Sequence, residues 1–264
     1  MPCPKTFPPT ITSLAIYNTT AVNNILSCSE STPSLQDFTF EGKDDDSSLY
    51  HISPEFENPD IVSLPHLLTA KFSVPGYGAY LLRAINAPKL TYIYLGGGGI
   101  NPWHHDDGVG GWDFRILSTL FSITVHRLSA RSRNLRRLTL ECTQFNSPLV
   151  EDYTLILSGA GFAQLEKLVL IKADIDDEAL LAAGNGGGSS SLKILILQEC
   201  WGVTDRGLLG FVRGRRSDFR LSLYRCGCWP GKYNDLNNYS RTNGNLYIGV
   251  LFFTKQHYPS TNIG

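Results

Sequence analysis

A short pattern of apolar positions, L-x-x-L-x-L with other apolar residues allowed, recurs along most of this 264-residue chain and limits its fold more than any other feature. Its members are Ile11/Leu14/Ile16, Leu35/Phe38/Phe40, Leu67/Ala70/Phe72, Leu90/Ile93/Leu95, Leu135/Leu138/Leu140, Leu165/Leu168/Leu170 and Leu192/Leu195/Leu197. An eighth is degenerate, because Leu221 and Leu223 fit but Asp218 stands where the first apolar residue belongs. Successive starts, at residues 11, 35, 67, 90, 135, 165, 192 and 218, lie 23 to 45 residues apart. One such triplet arises by chance in any leucine-rich chain; seven at near-regular spacing do not.

The last two apolar positions of each triplet alternate, which is strand periodicity and sends both side chains to one face. The return leg of each unit reads as helix. Ser147 and Pro148 open one, with Glu151 and Asp152 in its first turn and Leu149, Tyr153, Ile156 and Leu157 at helical spacing, before Gly159 and Gly161 end it. Asp176 or Asp177 opens a second, carrying Ala179, Leu180 and Ala183 and stopped at Gly184-Asn185-Gly186. Thr204 caps a third, with Leu208, Leu209 and Val212 inward, and a longer helix is expected from about Asp113 to Leu128. One strand–helix unit cannot bury its own apolar edges, so neighbours must stack. Units of about 20–29 residues are those of leucine-rich repeats. The expected fold is therefore α/β: a leucine-rich-repeat solenoid, or horseshoe, with a parallel sheet on the concave face and helices on the convex face. Its expected divisions are a disordered segment over 1–10, a domain of about eight repeats over 11–228 with insertions near 41–63 and 96–112, and an irregular tail over 229–264.

The stretch from Leu192 through Leu195, Leu197, Cys200, Val203, Thr204, Asp205 and Gly207 to Leu208 resembles the cysteine-containing repeat L-x-x-L-x-L-x-x-C-x-x-[IV]-T-D-x-G-L at every stated position. The next unit keeps Leu221, Leu223 and Cys226, and the preceding ones follow more loosely, through Asp174, Asp177 and Leu180 after Leu170 and Cys142 after Leu140. Such repeats resemble those of the F-box and leucine-rich-repeat family, and the uneven spacing resembles its fungal members. The resemblance implies that the repeats hold a target protein, as the substrate-recognition part of a receptor for a cullin-based ubiquitin ligase. Contact with the ligase adaptor would need an F-box, and none is found in this sequence. A stand-alone repeat scaffold without a ubiquitin role is the second reading, and an enzyme the third.

Outward strand positions supply the candidate partner-binding surface: Tyr92, Tyr94, Arg137, Glu141, Lys167, Val169, Ile171, Ile194, Ile196 and Gln198. Tyr and Arg are enriched at interface hot spots, and four aliphatic residues on a face expected to be solvated can mark a contact surface. A formal net charge of -1 gives no global attraction to nucleic acid or anionic membrane, and neither is expected as a partner. The basic clusters at Arg131, Arg133, Arg136, Arg137 and at Arg213, Arg215, Arg216 are read mostly as favourable charges near helix C-termini.

No catalytic, cofactor or metal site is expected. The glycine run at 96–99 fits no dinucleotide register, since Pro102 occupies the third glycine position counted from Gly97. Trp103-His104-His105-Asp106-Asp107 reads as a solvated loop, and Cys226-Gly-Cys228 lacks a second cysteine pair of zinc spacing. Six scattered cysteines and an opening without an apolar run suggest reduced thiols in the cytoplasm or nucleus.

Overall fold

Each of the eight triplets contributes one strand in a computed structural model of the chain. The structure describes residues 7–17, 29–42, 61–73, 81–96, 114–141, 150–185, 191–213, 215, 218–226, 234–242 and 247–251. The strands are β1 (Ser13–Tyr17), β2 (Asp37–Glu41), β3 (Val62–Ser63), β4 (Thr69–Ser73), β5 (Ile85–Asn86), β6 (Tyr92–Gly96), β7 (Arg137–Glu141), β8 (Lys167–Ile171), β9 (Ile194–Gln198), β10 (Arg220–Tyr224) and β11 (Tyr247–Leu251). The helices with described bounds are α1 (Phe114–Arg131), α2 (Val150–Ser158), α3 (Asp177–Asn185), α4 (Asp205–Arg213) and α5 (Asn234–Thr242), and residues 81–84 are helical as well. Among the described residues the fold is mixed α/β. A nine-stranded sheet runs in the order β1-β2-β4-β6-β7-β8-β9-β10-β11, and β3 and β5 form a separate pair. Every pairing is parallel.

Equivalent triplet positions sit side by side. Leu138, Leu168, Leu195 and Leu221 are successive partners, as are Leu140, Leu170, Leu197 and Leu223. All eight are buried, in one core cluster with Tyr153, Ile156, Leu157, Leu180, Leu208 and Phe211 from the helices. Burying each such side chain stabilises by about 1.5–3 kcal/mol. The small member of the set has a packing consequence: Ala70 lies opposite Phe38, and the room it leaves lets Phe38 meet Phe72 edge-on at 5.7 Å. Leu14 and Ile16 are only partly buried, since β1 ends the sheet order and pairs with β2 alone.

The repeat also extends to backbone geometry that no residue type announces. A turn closes on the first triplet residue in six units, with Ile11, Leu35, Leu67, Leu90, Leu135 and Leu165 each donating a backbone N–H to the carbonyl three residues earlier. One carbonyl in each of Thr12, Gln36, Leu68, Thr91, Arg136 and Glu166 then accepts two successive N–H groups from the next unit. At the far end of the strands, Lys172, Glu199 and Arg225 follow β8, β9 and β10 with φ of 51°, 54° and 50°. Left-handed backbone costs such residues about 1–2 kcal/mol. Links between units offset it, with Lys172 N–H donating to Gln198 C=O at 2.7 Å and Glu199 N–H to Tyr224 C=O at 2.8 Å.

The helical legs follow the expected pattern with instructive departures. Asp176 caps α3 through Ala179 N–H at 2.9 Å, and Thr204 accepts from Arg206 N–H at 3.3 Å to cap α4. α3 ends at Asn185, within the expected stop at Gly184-Asn185-Gly186, and Phe211, absent from the expected inward set of α4, is fully buried while Leu209 is only partly so. Asp152 stands in the first turn of α2 as expected, and is buried at 1% exposure, accepting from Ser122 Oγ at 3.0 Å with His126 Nε2 at 3.6 Å. Ser147, Pro148, Cys142 and the loop at 44–48 lie outside the described residues. In the degenerate eighth triplet, Asp218 is exposed and its neighbour Phe219 turns inward, packing on Phe211 at 5.7 Å.

The largest departure is at the C-terminus. The expectation of an irregular segment over 229–264 does not hold for residues 234–242, which form α5, or 247–251, which add β11 in register with β10. The pattern does not mark this strand, because Asn245 stands where the leading leucine would precede Ile248 and Val250. The sheet therefore continues past residue 228. No helix among the described residues is long and apolar enough to cross a membrane.

Candidate functional site

Because the inward positions of β2, β4 and β6 to β10 are buried in the core, chemistry available to a partner lies on the alternate, outward positions. The register arranges these in three rows across the strands. The first runs Tyr92, Arg137, Lys167, Ile194, Arg220 along β6 to β10. The second runs Tyr94, Thr139, Val169, Ile196, Ser222. The third runs Glu141, Ile171, Gln198, Tyr224 along β7 to β10. All ten candidate residues thus fall on one continuous face, with neighbours in a row one strand spacing apart, about 4.8 Å.

Their surroundings differ. Val169, Ile171, Ile194 and Ile196 sit on the adjacent strands β8 and β9, each half-buried, and form one aliphatic patch that crosses all three rows, from Ile194 in the first to Ile171 in the third. Arg137 is exposed and its guanidinium lies 5.0 Å from the Tyr92 ring centroid, a cation–π contact that holds both side chains on the surface. Tyr94 reaches across two strand residues to donate its hydroxyl to Glu141 Oε2 at 2.9 Å. It lies against Gly96, where any Cβ would collide with the phenol ring. Burial, then the Glu141 hydrogen bond and charge, push the Tyr94 hydroxyl up to about 12. Tyr94 and Glu141 are therefore committed to each other, whereas Lys167 and Gln198 stand beside the aliphatic patch. Among the described residues, Arg137, Lys167 and Arg220 have no carboxylate within ion-pair distance.

Sequence reasoning missed Arg220 and Tyr224, the outward residues of β10 that border the patch on its other side. The degenerate triplet around Leu221 and Leu223 carries the signal, since its outward neighbours are Arg220, Ser222 and Tyr224. Arg136 and Arg137 also differ from expectation: they lead into and begin β7, while Arg131 and Arg213 do sit in last helical turns. Arg215 serves the structure, stacking 4.1 Å over Phe211 and donating to Leu157 C=O at 2.9 Å. Burial lowers its pKa to about 10, which leaves it cationic at neutral pH.

Cys200 and Cys226 are buried free thiols at the strand-exit position of successive units. Their Sγ atoms lie 3.6 Å from Leu170 C=O and 3.3 Å from Leu197 C=O, so each thiol donates to the unit before it. This is the behaviour of small apolar packing residues with a weak donor. The sequence Trp103–Asp107 and Cys228 lie outside the described residues, among which no group of His, Cys, Asp or Glu is placed to hold a metal ion. No protein-family model matches the chain, and no curated protein matches it.

Proposed function

We propose that the chain is a protein-recognition module: a leucine-rich-repeat solenoid whose outward sheet face, concave in a horseshoe, receives part of another protein. The observation that carries the reading is the aliphatic patch of Val169, Ile171, Ile194 and Ile196, gathered by register on the sheet face opposite the helices and rimmed by Arg137, Lys167 and Arg220. A face that served only solvation would have no use for four half-buried aliphatics. The curvature follows from unequal layer widths. Strands stack about 4.8 Å apart whereas packed helices need about 8–10 Å, so units joined one to one bend with the sheet inside.

Within this reading the most specific role is the substrate-recognition part of an F-box-type receptor of a cullin-based ubiquitin ligase, supported by the cysteine-containing pattern from Leu192 to Leu208. The role is one of binding and not of catalysis, in an intracellular setting. Two experiments separate its layers. Incubation of the purified chain with the purified cullin-ligase adaptor tests the ubiquitin connection, and absence of a complex removes it. Affinity capture of partners by the chain and by its Ile196→Asp variant tests the face: partners retained equally by both defeat the docking role.

A further inference from the structure

The charge pattern around the aliphatic patch restricts what it can accept. Across β7 to β10, the N-terminal edge of the strands carries Arg136, Arg137, Lys167, Lys193 and Arg220, five cations in a chain whose formal net charge is -1. Two carboxylates share that edge, and one of them, Glu166, is already taken by Lys193 at 3.5 Å. The other, Asp218, precedes β10 and is exposed. At the opposite edge the charges balance: Arg225 pairs with Glu199 at 3.7 Å, and Glu141 and Lys172 offset each other in sign. Tyr94 further engages Glu141. The face thus carries an aliphatic patch across β8 and β9, with cations on both sides of Ile194 along one rim and charges close to balance along the other.

We infer that the occupant of this face is an extended segment of another protein that presents acidic side chains to the Arg137–Lys167–Arg220 rim and apolar side chains to the patch; the inference rests on the docking role proposed above. An extended segment lying across β7 to β10 turns successive side chains to opposite sides. One side then meets the cationic rim about 6–7 Å from the chain's other contacts, which is the separation of outward rows along a strand. The rim steers an acidic partner and rejects a basic one, and the aliphatic patch supplies the contact that is released slowly. A nucleic acid would satisfy the cations but leave the aliphatic patch covered by a polyanion, so the geometry favours the acidic–apolar peptide.

Selection of a random peptide library displayed on phage against the full chain tests this. The expected outcome is enrichment of peptides in which acidic residues accompany apolar ones. Their affinity should fall by roughly ten-fold in an Arg137→Glu/Arg220→Glu variant, chiefly through slower association, and should weaken with added salt. Circular dichroism matching the parent establishes that the variant is folded. Enriched peptides that need Ile196 yet lack acidic residues overturn the inference while leaving the docking face standing. A selection with no peptide sensitive to Ile196→Asp overturns both. Displacement of the peptides by a single-stranded oligonucleotide at equal concentration overturns it in favour of a general polyanion surface.

Discussion

Two glycines of α4 make opposite predictions from the same substitution. In a helix interior, Gly→Ala ordinarily stabilises by about 1 kcal/mol. At Gly207, however, an added Cβ would collide with Asp177 Oδ1 and stand 2.7 Å from Asp177 Cα, a backbone atom that can retreat only if α3 moves. Carbon atoms rest about 3.5–4.0 Å apart, so the helices must part by roughly 1 Å. Such overpacking costs about 1–3 kcal/mol. The same movement strains the bonds by which Asp177 accepts from Thr204 N–H, at 2.7 Å, and from the Thr204 hydroxyl, a link between units worth about 1 kcal/mol more. Gly207→Ala should therefore be destabilising by about 1–3 kcal/mol after the helix-propensity gain is subtracted. Gly210 is the control. There the new Cβ meets the far end of the Leu181 side chain, with the next atom at 3.5 Å, and Leu181 is only partly buried and free to swing aside. Gly210→Ala should be neutral or stabilising by up to about 1 kcal/mol. Urea unfolding followed by circular dichroism at 222 nm, on about the scale of 1–3 kcal/mol per molar urea, resolves the difference. If the midpoint of Gly207→Ala equals or exceeds that of Gly210→Ala, the close approach of α3 and α4 is wrong.

Other consequences can be read as directly. Phe219→Ala should cost about 3–5 kcal/mol, whereas Asp218→Leu, which restores the sequence pattern, should bring no gain because position 218 faces solvent; urea midpoints of the two variants decide. Tyr94 keeps its proton in the folded state to about 12, above its ordinary value of 10.0. Its contribution to stability is thus complete below the unfolded value and is lost as pH rises through the folded one. Absorbance titration at alkaline pH should show that Tyr94→Phe removes a phenol titrating above the ordinary tyrosine value, and loss of one titrating at the ordinary value instead would contradict the Glu141 bond. Burial, then the charge of Asp235, raise the pKa of Asp205, so its ionised form opposes folding at neutral pH. Asp205→Asn should raise the urea midpoint at pH 7, by an amount that fades as acid protonates the parent carboxyl. An unchanged midpoint at both pH values would separate α4 from α5.

What the sequence by itself determined is the inward half of each unit. Alternating leucines at a short, repeated spacing leave few options, because strand periodicity sends them to one face and only a neighbouring unit can cover them. The caps at Asp176 and Thr204 were equally legible, since a short polar side chain before a helical run has a local purpose. Tertiary structure alone decided the rest. It turned Phe219 inward in place of Asp218, buried Asp152 between α1 and α2, and added β11 to the sheet without the leading leucine. It placed Lys172, Glu199 and Arg225 in left-handed turns that no glycine or asparagine foretold; for Lys172 and Glu199 the compensating hydrogen bonds come from the next unit. The candidate site divides the same way. Single outward residues could be named from alternation, but the patch on β8 and β9 and its cationic rim exist only through register between strands about 25–30 residues apart in sequence, which no local signal encodes.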